Sequence, residues 1–315
     1  MQILSLRLYR AEFAIEREEK IFIMAISRKM IGVLGLMPEL PEVETIKNAI
    51  AKGIGNSKIL NVEVKNPRLR NLVPADANIK LSNATIISYR RIAKYIVMDL
   101  DNGLSIIWHM GMSGKIKLCD KKPPLEKHDH ITITTDNGFI IYNDPRRFGL
   151  FGYIKTADLK KSSYFAKTGL DPFDSQLTAE YLIAKLNKHK HTPIKISLLN
   201  HEIIAGIGNI YASEILYESR ISPLRESGDI DKKECTELIK NTKKVLQKAI
   251  SAGGSTLRDY TKPDGGMGSF QTQHCVYNRV GQPCPNCKCN LAKTGGIKRI
   301  IQGGRSTFYC GSLQK

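Results

Sequence analysis

Three rhythms of apolar and polar residues follow one another along the chain. The first belongs to a helix opening at Met37-Pro38-Glu39-Leu40-Pro41-Glu42-Val43-Glu44-Thr45, with Val43, Ile46 and Ile50 on one face until Gly53 and Gly55 end it. Proline tolerates a first helical turn, and carboxylates there meet the positive end of the helix dipole. From 58 to about 153 the period shortens to that of strands, over 59–64, 85–89, 95–100, 104–108, 131–135 and 139–142. Asn-Pro and two Asp-Asn-Gly turns break these runs, a pattern that predicts hairpins folded into a sandwich or barrel. Beyond a proline-containing link near 168–174 the helical period returns over 178–186, 195–200, 209–218 and a long 232–251 segment. A glycine-rich stretch, 253–268, then leads into a tail that holds five of the seven cysteines.

This order predicts an α+β multidomain chain. Residues 38–165 form an N-terminal β-sandwich with flanking helices, 170–268 a helical unit and 269–315 a C-terminal hairpin. Residues 1–37 read as a leader absent from the active protein. Its apolar run at 21–26 is short and followed by Arg28 and Lys29, while Glu12, Glu16, Glu18 and Glu19 spoil a transit peptide.

Composition narrows the function. The 315 residues carry 48 Lys+Arg against 30 Asp+Glu, a formal charge of +18. No apolar run approaches the roughly 18 residues that span a bilayer, so the reading is a soluble, cytoplasmic protein with no membrane partner. A surplus of this size favours polyanions, nucleic acid first. An odd cysteine count without a secretory signal argues for a reducing compartment and against a disulfide framework.

The cysteines supply the first candidate chemistry. Cys284-Pro-Asn-Cys287 has the spacing of a metal knuckle, since two thiolates three apart can share one tetrahedral Zn²⁺. Cys310 stands where a second knuckle begins, but Leu313 occupies the place of its partner. Cys289 is a poor substitute so soon after Cys287. Gly206-Ile207-Gly208-Asn209 lies before a helix and reads as a tight turn or, with Lys185, Lys188, Lys190 and Lys195 upstream, as a phosphate cradle. If Met37 is the true start and is removed, Pro38 becomes a secondary amine. An α-amino group has a pKa near 8, so part of it is neutral and nucleophilic at pH 7. It could attack a sugar C1′ to form an iminium, with Glu39 beside it for acid/base work. On these residues alone, a simple helix-initiating proline stays open as the plainer reading.

Eight co-linear motifs change the balance. They are the 38–45 segment with Lys94 in Arg91-Ile92-Ala93-Lys94-Tyr95, His109-Met110-Gly111-Met112-Ser113-Gly114, Glu126-Lys127-His128-Asp129-His130, Asp144-Pro145-Arg146-Arg147-Phe148-Gly149, 206–212, Val276-Tyr277-Asn278-Arg279 and 304–310. Together they cover 37–315 and resemble the bacterial formamidopyrimidine-DNA glycosylase family. The resemblance implies a helix–two-turns–helix DNA-binding unit, a zinc-finger hairpin, and a monomer acting on damaged double-stranded DNA. It implies Pro38 as Schiff-base nucleophile, Glu39 as the acid that opens the sugar, Lys94 near the damaged nucleotide and Arg305 in phosphate elimination. His128, Arg146 and Asn209 would grip the DNA backbone. Met112, Arg146 and Phe148 would fill the void left by the flipped base. Cys284, Cys287 and Cys310 would hold one structural Zn²⁺.

The implied activity is excision of 8-oxoguanine and formamidopyrimidines followed by β,δ-elimination. Specificity for oxidised pyrimidines and a non-catalytic damaged-DNA-binding protein are the alternatives. Three positions depart from the family pattern: the leader before Pro38, Leu313 in place of a thiolate, and His191 (beside Lys190) at a basic phosphate-contacting position. Asn278 also replaces an expected glycine.

Overall fold

The computed structural model describes residues 38–255, 269–287 and 290–315. The leader, most of the glycine-rich stretch and Cys289 lie outside the described residues.

Helix α1, Leu40–Ile54, starts at Glu39 and ends on Gly55, whose positive φ stops it. Its apolar face, Val43, Ile46, Ile50 and Ile54, is buried in the main core. The strands are β1 (Ile59–Val64), β2 (Ile86–Ile92), β3 (Tyr95–Leu100), β4 (Leu104–His109), β5 (Lys115–Cys119), β6 (Asp129–Thr135), β7 (Gly138–Asn143) and β8 (Leu150–Lys155), with the short helix α2 (Ala77–Leu81) after β1. They form two antiparallel four-stranded sheets, ordered β1-β6-β7-β5 and β2-β3-β4-β8. Alternate side chains from both sheets meet between them. There Trp108 stacks edge-on with Tyr142 at 5.5 Å and Phe151 at 5.0 Å. The expected sandwich is present. The sequence rhythm passes over β5 and β8, and it starts β6 two residues late.

The helical region holds α3 (Ala179–Asn187), α4 (Ile194–Leu199), α5 (Asn209–Glu218) and α6 (Lys232–Ser251). Thr178 and Asp231 cap α3 and α6 by accepting from the Tyr181 and Glu234 amides. Helix α6 packs on α3, α5 and α1, which ties the helices to the sandwich. In the tail, α7 (Leu291–Thr294) precedes the hairpin β9 (Lys298–Gln302) and β10 (Arg305–Tyr309). Asn278 has φ +60°, the left-handed conformation for which asparagine is a tolerated substitute for glycine. Among the described residues no helix is long and apolar enough to cross a membrane.

Candidate active site and nucleic-acid interface

The N-termini of α1 and α5 meet, and a carboxyl group sits at the junction. The Leu40 amide donates to the Gly206 carbonyl at 3.2 Å. Glu39 Oε1 accepts from the Ile210 amide at 3.0 Å and Oε2 from the Tyr211 amide at 3.4 Å. The two glycines before α5 exist for this contact. A Cβ on Gly206, at φ +89°, would stand 2.7 Å from Leu40 Cδ1, and one on Gly208 would stand 2.2 Å from Glu39 Cδ. The phosphate-cradle reading of this turn is therefore corrected, because its amides are taken by the protein's own carboxyl group. Gly208→Ala should displace Glu39 and reduce, at least tenfold, the excision that the family resemblance implies. The far larger part of the sandwich stays intact, as an unchanged circular dichroism spectrum would show.

Burial pushes the Glu39 carboxyl above the usual range, against the opposing pull of Lys94 and of the α5 amides. Lys94 lies in the turn between β2 and β3, next to Ala93 at φ +53°. Arg91 secures that turn by donating to the Ala93 carbonyl and pairing with Glu44 and Asp171, each at 2.8 Å. Lys94 is buried, and burial lowers its pKa; Glu39 opposes the shift and Arg305 adds to it.

A second buried lysine is one that the sequence offered only as a basic residue upstream of the glycine turn. Lys195 on α4 donates to Asn209 Oδ1 at 2.6 Å, and burial with the nearby Arg305 charge lowers its pKa to about 8. Asn209 Nδ2 in turn donates to the Ser306 carbonyl at 2.9 Å, which joins α5 to the hairpin that carries exposed Arg305. His109 closes one side of the cluster. Burial first, then the Arg70 and Lys94 charges, holds its imidazole down at about 3 and therefore neutral. Glu39 thus lies within electrostatic reach of Lys94 and Lys195, Arg305 acts on both lysines, and Pro38 immediately precedes Glu39.

The loop 144–149 presents the other expected group. Buried Asp144 accepts from Ser113 Oγ (2.5 Å), the Gly149 amide (2.8 Å), Tyr142 Oη (3.0 Å) and the Arg146 amide (3.2 Å). That anchor holds Arg146 and Phe148 outward, the guanidinium 4.8 Å from the ring centroid and Phe148 44 % exposed. An aromatic ring so exposed is not a core residue. Met112, half-buried, follows Gly111, which packs on the same loop. The four arginines 68, 70, 146 and 147 and Phe148 line one open groove of about 550 Å³. His128 is half-buried beside His130 and precedes Asp129, which is pinned by Lys117 and Asn143. Lys190 and His191 lie on the exposed surface outside the buried cluster, and His191 Nδ1 pairs with Glu226 Oε2 at 3.0 Å.

In the tail the Sγ atoms of Cys284, Cys287 and Cys310 lie within 4.8 Å of one another, Cys287 and Cys310 at 3.6 Å. Three thiolates at tetrahedral-edge separations can bind a metal ion. Leu313, whose amide donates to the Cys310 carbonyl, offers no donor atom at the fourth position.

A basic cleft, a buried acid beside the chain's Pro38 and an outward arginine–aromatic wedge define a protein that works on nucleic acid. Family models for the formamidopyrimidine-DNA glycosylase N-terminal domain and H2TH domain match residues 37–151 and 168–261. The formamidopyrimidine-DNA glycosylases of Rhodospirillum rubrum and Zymomonas mobilis are 40% and 42% identical to this chain, each over 89% of it and 100% of theirs. Two structures of Lactococcus lactis Fpg, with DNA containing Fapy-dG and with abasic-site DNA, superpose with TM-scores of 0.80 at 32% identity, covering 88% of this chain and 100% of theirs. The chain belongs to the formamidopyrimidine-DNA glycosylase family.

Proposed function

We propose that the chain is a bifunctional glycosylase and lyase of base-excision repair that removes oxidised purines, 8-oxoguanine and formamidopyrimidines, from duplex DNA. The observation that carries this reading is the Glu39 carboxyl, buried at two helix N-termini with Lys94 beside it and Pro38 immediately before it. Relatives crystallised with Fapy-dG, abasic-site and carbocyclic 8-oxo-G DNA support the substrate class. In the reaction the Pro38 nitrogen bonds to the sugar C1′ and gives up its N–H proton, and the base departs with the C1′–N pair and takes up a proton in its turn. Glu39 gives its proton to the ring oxygen as the ring opens to an iminium. The iminium acidifies the C2′ proton, whose loss expels the 3′ phosphate; a second elimination expels the 5′ phosphate and leaves a one-nucleotide gap. Lys94 and Arg305 supply positive charge to the departing phosphates.

Extrusion of a base costs a few kcal/mol of stacking, which an inserted arginine and apolar side chains replace in part. Arg146, Phe148 and Met112 suit that role. Asn209 and His128 suit backbone contacts, while His191, already paired with Glu226, would add little beside Lys190. On this reading the protein works as a monomer on damaged duplex DNA in the bacterial cytosol, in a form without residues 1–37. Cleavage of an 8-oxoguanine duplex should exceed that of a thymine-glycol duplex at least tenfold; the reverse order would assign it to oxidised pyrimidines.

We infer that Cys284, Cys287 and Cys310 hold one structural Zn²⁺, the ion that thiolates at such separations favour. It would clamp the base of the β9–β10 hairpin and so fix Arg305. With three thiolates the ion should be easily lost. Leu313→Cys is expected to tighten zinc at least tenfold in a chelator competition, and chelation of the parent protein should weaken duplex binding with little change in the sandwich.

A further inference from the structure

The turn between α4 and α5 carries a histidine that has no part in the reaction above. His201 is fixed there at two points. Its carbonyl accepts from the Gly169 amide at 2.8 Å, and its ring Nδ1 accepts from the Gly206 amide at 3.3 Å. Gly206 is the residue whose carbonyl receives the Leu40 amide at 3.2 Å, so one glycine joins the His201 ring to the start of α1, two residues after Pro38. The ring's bond to Gly206 is half-buried, while the residue itself reaches solvent. A ring nitrogen that accepts an amide proton carries none of its own, so the proton of the neutral imidazole is on Nε2. Among the described residues no group accepts from that Nε2–H.

We propose that His201 is a further DNA-contacting residue, which donates its Nε2–H to the phosphodiester served by Lys94 and Arg305. The proposal deepens the reading in which those two cations act on the departing phosphates, and it rests on that reading. The charges that reach the ring are Lys94 from the β2–β3 turn and Arg305 from the hairpin; burial first, then these two, lower its pKa to about 4. The ring is therefore uncharged at neutral pH. Arg305 also lowers the pKa of Lys94 and of Lys195. Groups that disfavour one another's charge in this way share one region, and an anion that enters it is attracted by all of them. A further cation would add to their mutual repulsion, whereas a neutral donor does not. Point charges attract a phosphate with little preference for direction, but a single N–H on a ring anchored through its opposite nitrogen is directional. The bond that fixes the tautomer also excludes a role as base. With Nδ1 turned to Gly206 and Nε2 protonated, the ring has no free lone pair to take the C2′ proton or the Pro38 N–H proton.

The test uses the chain beginning at Pro38, with a duplex carrying a tetrahydrofuran abasic-site analogue for binding and a true abasic duplex for cleavage. His201→Ala should weaken binding of the analogue duplex about tenfold and slow strand cleavage by a similar factor, as loss of one hydrogen bond to a charged group does. His201→Gln, whose carboxamide keeps an N–H donor, should stay within about threefold of the parent. The slope of log Kd against log salt should be the same for His201→Ala and the parent, because an uncharged contact releases no counterion; loss of a charged contact would reduce it by about one. ¹⁵N NMR of histidine-labelled parent protein should show His201 as the neutral Nε2–H tautomer at neutral pH, with that proton's signal displaced when the analogue duplex is added. A His201→Ala protein that binds and cleaves like the parent overturns the proposal. So does equal impairment of the Ala and Gln variants, which would make the ring a brace for Gly206 alone, and so does a salt slope reduced by about one. Borohydride trapping on the abasic duplex separates this proposal from the reading beneath it. Without an adduct from the parent chain the proposed function itself falls; with an adduct and an unmoved His201 signal, only the role of His201 does.

Discussion

A chain in which Pro38 remains joined to Met37 is expected to form no borohydride-stable adduct with a duplex containing an abasic site, whereas a chain beginning at Pro38 should be trapped quantitatively. The effect is complete because it concerns the existence of the nucleophile. A proline nitrogen inside the chain is a tertiary amide whose lone pair is delocalised into the carbonyl. Freed, it is a secondary amine with an ordinary pKa near 8, and on losing its one N–H proton after attack it can form an iminium. Two preparations, one beginning at residue 1 and one at Pro38, decide the matter when intact mass verifies their termini. A covalent adduct from protein that still carries residues 1–37 would remove Pro38 from the mechanism.

The second large effect concerns the acid. Glu39→Gln should lower excision of 8-oxoguanine by about 10³-fold, within the range that general acid–base groups contribute. Cleavage at a preformed abasic site should stay within about tenfold, because that sugar is a hemiacetal that opens to its aldehyde in water without the enzyme's acid. The amide oxygen of glutamine can still accept from Ile210, so the junction of α1 and α5 is retained and only the proton is lost. Equal losses on both substrates would mean that Glu39 orders the junction and does not act as the acid.

Much of this was legible in the residues, and the rest was hidden for identifiable reasons. The α1 face, the long α6 and six of the strands follow from apolar periodicity, since each buries against one neighbouring layer. β5 is a five-residue strand between loops, and Gly152 interrupts the pattern of β8, so neither shows a rhythm. Lys195 reads as one more basic residue before Asn209; its burial comes from α5 and the hairpin, which lie far along the chain. Gly206 and Gly208 suggested a phosphate turn because glycine reports only that something comes close. What comes close is a side chain 169 residues earlier in the case of Gly208 and Glu39. Glu42 reads as a favourable first-turn acid, which it is, yet its hydroxyl and amide donors from Tyr211 and Ser255 appear only in three dimensions.

The junction of the two helix starts has a further meaning for how such a protein can be made safely. An enzyme that cuts DNA strands is hazardous while half-folded. Here the burial that raises the Glu39 carboxyl is completed only when α5, synthesised some 170 residues after Glu39, has docked over it. A nascent sheet region alone would present Glu39 to water as an ordinary, fully ionised carboxylate. The environment of the acid depends on α5 being in place, so a copy truncated before α5 should be a poor glycosylase.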